Sequence, residues 1–189
     1  MIRIISGVYR GKKIIEPKDT QTRPLKDLTK ESIFNILNHS KKFKVDLENS
    51  DVLDLFSGVG SFGIECLSRG VKSVVFVENY NGVLPILKRN LISLKSIIGY
   101  KIIEKDINDI NFFKNLNQKF DFIFIDPPYK DQNLNLLIDK IQNHKILKKN
   151  GVLIIHRHKD QQDKIPKNLK IIEEKKYGIS KVIFIRISN

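Results

Sequence analysis

Residues 52–63 read VLDLFSGVGSFG, an apolar run that leads into a turn with three glycines spaced as G-x-G-x-x-G. The run is typical of a buried strand, and glycine permits the positive φ and the close backbone approach that a ligand-binding turn needs. The stretch therefore predicts a strand, a glycine-rich turn and the start of a helix. Taken alone, it fits a dinucleotide-binding turn as well as any other nucleotide site.

From residue 51 onward, short apolar runs alternate with longer helical patterns, which predicts an α/β fold with a mostly parallel Rossmann-like sheet of seven strands. The predicted strands lie near 51–56, 73–78, 100–104, 121–126, 151–156, 170–176 and 182–187. The predicted helices between them lie near 61–69, 81–96, 110–117 and 132–147. Only Gly178-Ile179-Ser180 separates the last two strands, so we expect them to form an antiparallel C-terminal hairpin at a sheet edge.

The residues ahead of the sheet predict a small N-terminal extension. Residues 3–15 indicate a hairpin, and residues 27–38 indicate an amphipathic helix with Asp27 or Thr29 as its N-cap. We expect one domain over 1–189, with 1–40 as an extension packed on the sheet and 41–189 as the core.

The composition points to a chain that folds without cross-links. Its 189 residues are enough for a sizeable core, and Cys66, the single cysteine, excludes an intramolecular disulfide. The apolar runs are far shorter than the roughly 20 residues of a membrane span, and the N-terminus lacks a signal-peptide pattern. We therefore expect a cytoplasmic protein with no membrane partner.

The net charge of +13 favours a polyanionic partner, because neutralising phosphates releases counterions. The chain also has no alanine and is rich in Lys, Ile and Asn, which is typical of a compositional drift at exposed positions. Charge alone therefore leaves nucleic-acid binding open.

Three acidic residues lie on or directly after predicted strands, with Asp54 inside the first of them. Asp54 lies two residues before the glycine turn, where a carboxylate would repel a pyrophosphate and favour an ammonium or a sulfonium. Glu78 closes the second strand and can accept hydrogen bonds from ribose hydroxyls, which fits NAD and S-adenosylmethionine equally. Asp106 is a candidate acceptor for an adenine amino group. The full set of candidate cofactor-binding residues is Asp54, Phe56, Ser57, Gly58, Gly60, Glu78, Asn79, Asp106 and Ile107.

The tetrapeptide Asp126-Pro127-Pro128-Tyr129 follows the apolar run at 122–125, and it is therefore expected at the carboxyl end of a buried strand. Open α/β sheets place their ligands at that end. Asp126 and the carbonyl of Pro127 can accept the two N–H hydrogens of an exocyclic amine, while Tyr129 can stack on the base. The nitrogen lone pair would then point at an electrophilic methyl group.

With Asp54 and Glu78 upstream, this tetrapeptide resembles the class I S-adenosylmethionine-dependent methyltransferases that modify exocyclic amino groups. The resemblance implies S-adenosylmethionine as cofactor and a catalytic group formed by Asp126, Pro127, Pro128 and Tyr129. His156 and His158 alone are a thin basis for a metal site, so we predict none.

The resemblance extends to one family over nearly the whole chain. Segments 3–11, 22–24, 30–37, 54–65, 67–70 and 176–178 are similar to the signatures of the RsmD family. Members of that family methylate N2 of one guanine in small-subunit ribosomal RNA. Among the departures, His156 and Arg157 end the fifth strand where the family typically has a glutamate.

The family resemblance gives the basic N-terminal segment an RNA-binding role around the catalytic mouth. The residues it implies are Tyr9, Arg10, Lys12, Lys13, Arg23 and Lys30. The implied partner is small-subunit ribosomal RNA or the assembling small subunit, bound by a monomer.

Other functions remain open from the residues. The tetrapeptide also permits methylation of adenine N6 in DNA or RNA, although 189 residues leave no room for the separate recognition domain of a DNA enzyme. A protein glutamine methyltransferase would more naturally have asparagine at position 126. A ribosome-assembly factor that binds RNA without catalysis is the alternative outside enzymes.

Overall fold

A computed structural model describes residues 2–17, 25–40, 42–43, 46–128, 131–163 and 165–187 of the chain. The strands are β1 (Ile2–Arg3), β2 (Lys13–Ile14), β3 (Asp51–Leu55), β4 (Ser73–Val77), β5 (Tyr100–Ile103), β6 (Phe120–Ile125), β7 (Leu147–His158), β8 (Leu169–Tyr177) and β9 (Ser180–Ile187). The helices are α1 (Asp27–His39), α2 (Ser61–Ser68), α3 (Leu84–Ser93) and α4 (Leu134–Asn143), with one 3-10 turn at Phe113–Asn115.

Seven of the described strands form one sheet in the order β5-β4-β3-β6-β7-β9-β8. The first five of these are parallel neighbours, and β9 runs antiparallel to both β7 and β8. The predicted α/β sheet and its antiparallel C-terminal hairpin are therefore confirmed. The small N-terminal hairpin is also present, with β1 paired antiparallel to β2.

Strand alternation divides the core into two layers, one on each face of the sheet. The first face carries Val52, Phe76, Phe124 and Ile154 and is covered by α1, α2 and α3. The second face is covered by the 3-10 turn and α4. Helix α2 is buried along its whole length, because it packs between the sheet and the N-terminal segment.

Two predicted helices differ from the structure. The helix expected near 110–117 is only the 3-10 turn, because Asp106 and Asp109 bond the backbone N–H groups two residues on and compete with helical pairing. The helix expected near 132–147 ends at Asn143, and Leu147 already belongs to β7.

The N-cap of α1 is also not the expected residue. Lys26 occupies that position with no side-chain cap, whereas Asp27 stands in the first turn. Its carboxylate is instead directed at the backbone N–H of Arg3 and the ammonium of Lys30.

The longest described helix, α1, has 13 residues, and no described helix has the length and apolarity needed to cross a membrane.

Candidate functional site

Four polar side chains meet at the carboxyl edge of the sheet, on the face covered by α1 to α3. Asp54 pairs in register with Phe76 and Phe124, which are core residues of that face. Glu78 and Asp126 follow two residues after those phenylalanines, and His156 follows two residues after Ile154, the partner of Phe124. Because side chains alternate along a strand, all four project to the same side.

The glycine turn between β3 and α2 uses its three glycines in different ways. Gly58 has φ of +54°, and a Cβ there would meet nothing within 4 Å, so its backbone faces open space. A Cβ at Gly60 would lie 2.6 Å from Leu87, and one at Gly63 would lie 2.3 Å from the Phe76 ring. Gly58 is thus the position where a ligand can approach the backbone, whereas the other two glycines are required by packing.

The turn is also strained at a residue that is not glycine. Phe56 has φ of +59°, a region that bulky L-residues rarely adopt and that concentrates at functional sites. The next residue, Ser57, is buried, and both its N–H and its hydroxyl donate to the carbonyl of Val77. The end of β3 is thereby tied to the end of β4.

Asp54 lies beneath the turn and not at its mouth as the sequence suggested. The residue is 1% exposed, and its Oδ2 accepts the N–H of Gly63 at 2.9 Å. Burial raises the pKa of this carboxyl well above its usual range, and the charges of Asp126 and Glu78 raise it further. The carboxylates at this edge therefore repel one another, so a positively charged ligand would relieve the repulsion.

Glu78 is buried and accepts hydrogen bonds from three backbone groups. Its Oε2 accepts the N–H of Gly58 at 2.8 Å, and its Oε1 accepts those of Asn79 and Tyr80, each at 2.9 Å. The carboxylate therefore fixes the glycine turn against the loop that follows β4. In this arrangement Oε2 is the oxygen with the fewer protein partners.

Asp106 and Ile107 follow β5 at the same edge of the sheet. Asp106 is exposed, and its Oδ1 accepts the N–H of Asn108 at 2.8 Å. Ile107 is buried in the core layer of the second face. Asn79 is exposed after Glu78.

Asp126 is the most accessible of the three central carboxylates. Its side chain is 22% exposed, and its Oδ1 lies 2.8 Å from Nδ1 of the buried His156. Pro127 is buried and Pro128 is exposed, whereas Tyr129 lies outside the described residues. Asp126 lies at the predicted strand end, whereas its partner His156 could not be predicted from local sequence, because the two residues are 30 positions apart.

Arg157 is a second buried residue near this edge whose contacts were not predicted from the sequence. It is 2% exposed, and its guanidinium donates to the carbonyl of Asp131 at 2.8 Å and to the carboxylate of Asp163 at 2.9 Å. These contacts hold the residue just beyond the tetrapeptide loop. An arginine two residues after the apolar run at 152–155, next to His156, is the signal that could have identified it.

Among the described residues predicted to bind RNA, Tyr9 and Lys12 lie away from the glycine turn. Tyr9 is half-buried, and its hydroxyl donates to the carbonyl of Lys95 at 2.5 Å, while the Lys12 ammonium donates to the carbonyl of Ser93. The tip of the hairpin also bonds Ser68 at the end of α2. Because α2 and α3 start at the mouth and run away from it, the tip lies at the opposite end, on the order of 12 Å along α2.

Lys30 corrects the sequence analysis most clearly, because it is fully buried and not available to RNA. Its ammonium donates to the carbonyl of Arg3 at 2.6 Å and lies 3.7 Å from both Asp27 and Glu65. Arg10 and Lys13 are exposed, and Arg23 lies outside the described residues.

Comparisons with known proteins show the family to which the chain belongs. The family model described as Conserved hypothetical protein 95 matches residues 2–186. A Haemophilus influenzae protein named Ribosomal RNA small subunit methyltransferase D is 33% identical, over 94% of this chain and 90% of its own length. A Buchnera aphidicola protein of the same name is 34% identical, over 92% and 87%. The solved structure of a Haemophilus influenzae protein assigned as a methylase is 31% identical, with a TM-score of 0.78, over 100% of this chain and 99% of that one.

Proposed function

The chain belongs to the RsmD family, whose model is described as Conserved hypothetical protein 95, and on that premise we propose that it methylates the exocyclic N2 of a guanine in small-subunit ribosomal RNA. The methyl donor in this proposal is S-adenosylmethionine. The observation that carries the proposal is Asp126, a partly exposed carboxylate held at the sheet edge beside an open glycine turn.

The residues at this edge fit a cationic nucleoside such as S-adenosylmethionine. Asp54, Glu78 and Asp126 concentrate negative charge that a sulfonium or an ammonium would neutralise and that a pyrophosphate would increase. The open space above Gly58 leaves room for a ligand against the backbone. The negative charge of these carboxylates argues against a dinucleotide as the ligand, because its pyrophosphate is also negative.

Each acidic residue at this edge of the sheet would have its own part in holding the cofactor. Glu78 would offer Oε2 to a ribose hydroxyl, while its other contacts keep the turn rigid. Asp54 would act from beneath the turn, through its charge and its bond to Gly63. The exposed carboxylate of Asp106 would accept a hydrogen bond from the adenine amino group. When bound, S-adenosylmethionine supplies an electrophilic methyl group on a sulfonium.

Asp126 would perform the chemistry on the base. An exocyclic amine is a weak nucleophile because its lone pair is delocalised into the ring. By accepting N–H hydrogens, Asp126 and the Pro127 carbonyl would let the nitrogen become pyramidal and aim its lone pair. The carboxylate would stabilise the positive charge that develops on nitrogen and then accept the proton that nitrogen releases. Tyr129 would stack on the base, which must leave its own stack to reach the site.

Two assays test the proposal. Calorimetry should detect S-adenosylmethionine binding to the protein. Incubation with labelled S-adenosylmethionine and immature small ribosomal subunits, followed by digestion to nucleosides, should place the label on N2-methylguanosine. Label on N6-methyladenosine would replace guanine by adenine as the target base. Binding without any transfer would support the assembly-factor alternative and contradict the proposal.

A further inference from the structure

The strand register brings a histidine beside the proposed catalytic carboxylate. Strands β6 and β7 are parallel, and Ile125 pairs with Ile155. Asp126 and His156 are the next residues on each strand, so both project from the carboxyl edge on the same face. Their contact, 2.8 Å between Oδ1 and Nδ1, is a direct consequence of this register.

The contact fixes which atom of the ring carries a proton. A carboxylate has no hydrogen to donate, so Nδ1 must be the donor both in the neutral ring and in the imidazolium. The hydrogen bond therefore survives when His156 loses its charge. Oδ1 is engaged in both states, and Oδ2 is the oxygen left to meet a substrate.

We propose that His156 is a positioning residue for methyl transfer, which orients Asp126 through Nδ1 and sets the net charge of the pair by its own protonation. The proposal rests on the function proposed above. When His156 is neutral, the pair carries one negative charge, which stabilises the positive charge that develops on the amino nitrogen. When His156 is protonated, the pair is neutral overall and loses most of that stabilisation.

The surroundings of His156 leave Asp126 as its main electrostatic partner. Across the ladder on β9, His156 faces the apolar Val182. Charged groups on the surrounding elements are engaged elsewhere: Lys30 with Glu65, Arg157 with Asp163, His158 with Asp160, and Lys181 with the carbonyl of Gln161. Burial lowers the pKa of the His156 ring, but the charge and the hydrogen bond of Asp126 outweigh it, so the pKa is raised above 6.5.

The sign of the pH dependence follows from these charges. As pH rises through the raised pKa of His156, the pair gains its negative charge and kcat should rise. In His156→Asn, the amide nitrogen can still donate to Oδ1 but does not titrate in this range. That variant should keep a kcat near the wild-type plateau and lose the acidic limb of the pH profile.

Nuclear magnetic resonance on the free protein tests the pair without any assay of activity. Titration of the four histidine rings, with His156 assigned from His156→Asn, should place its pKa above 6.5. In Asp126→Asn that pKa should fall, whereas the control Asp139→Asn, on the exposed side of α4, should leave it unchanged. A His156 ring that titrates at or below 6.5, or that ignores Asp126→Asn, would overturn the proposal.

Kinetics on the RNA substrate complete the test. We expect kcat, and not KM, to fall about tenfold in His156→Ala, and the acidic limb to vanish in His156→Asn. The control His158→Asn, whose ring faces Asp160, should retain the limb. If the acidic limb of the pH profile persists in His156→Asn, the inference about His156 is wrong while the proposed function stands. A protein that transfers no methyl group to any RNA would sink the proposed function and the inference together.

Discussion

At the scale of single residues, Asp54 is a buried carboxyl group whose pKa bears on the stability of the fold. Its folded pKa is raised above the ordinary value of 3.8, chiefly by burial. The contribution of a protonated Asp54 to the stability of the folded state is therefore fully present below pH 3.8. That contribution is lost as pH rises through the raised pKa of Asp54 in the folded protein. At neutral pH the buried carboxylate costs the folded state free energy.

Asp54→Asn should accordingly stabilise the protein at pH 7.5, by about 1–2 kcal/mol in the free energy of unfolding, while weakening S-adenosylmethionine binding. The gain should shrink as pH falls toward 5, and thermal unfolding across that range measures it. Asp106→Asn, at an exposed position, is the matched control and should show no such trend. Equal unfolding temperatures for Asp54→Asn and wild type at every pH would count against the buried charge.

Lys30 shows what residue patterns could not predict. The family resemblance implies that Lys30 binds RNA, but Glu65 lies 35 positions further on and only the fold brings the two together. Asp126, in contrast, was located correctly because the apolar run before it defines a strand end.

Lys30→Ala should lower the free energy of unfolding by about 2–5 kcal/mol, because it empties a buried site and removes the bond to the Arg3 carbonyl. Lys13→Ala, at an exposed position, should change it by no more than about 0.5 kcal/mol. Urea denaturation of the two variants gives the comparison. Similar values for both would mean that Lys30 is not buried in solution.

At the scale of elements, the glycines of the turn serve different purposes: Gly63 is needed for packing, whereas Gly58 leaves space for a ligand. Gly63→Ala should destabilise the protein by several kcal/mol, about 3 or more, since its Cβ would lie 2.3 Å from the Phe76 ring. Gly58→Ala meets no atom and carries only the left-handed strain, about 1–2 kcal/mol. Calorimetry should show that folded Gly58→Ala binds S-adenosylmethionine more weakly. Full affinity in that variant would mean that the ligand does not approach this part of the turn.

The elements themselves were predictable to different degrees. The strands and the C-terminal hairpin follow from apolar runs and turn residues, so the sheet was predictable from the sequence. The expected helix near 110–117 does not form, because the carboxylates of two aspartates accept hydrogen bonds from nearby backbone N–H groups. The position of the N-terminal hairpin was not predictable, because it depends on Tyr9 and Lys12 reaching the far ends of helices more than 80 residues away in sequence.

At the scale of the whole molecule, the net charge of +13 and the exposed basic hairpin tip predict salt-dependent RNA binding. Because the tip lies away from the mouth, Arg10→Ala should weaken affinity and lower the slope of log K against log salt by about 1, without changing kcat. Lys114→Ala, on the opposite face of the sheet, should leave the slope unchanged. Equal slopes for Arg10→Ala and wild type would exclude a phosphate contact at that residue.

The central claim is that the Asp126 carboxylate, at the edge of the sheet, takes part in the methylation of an RNA base. Its most direct test is nucleoside mass spectrometry of small-subunit ribosomal RNA from cells with and without the gene. We predict that deletion removes N2-methylguanosine from this RNA, that the wild-type gene restores it, and that Asp126→Ala, slowed on the order of 10²–10³-fold, does not. An unchanged N2-methylguanosine level after deletion, or full restoration by Asp126→Ala, would contradict the claim.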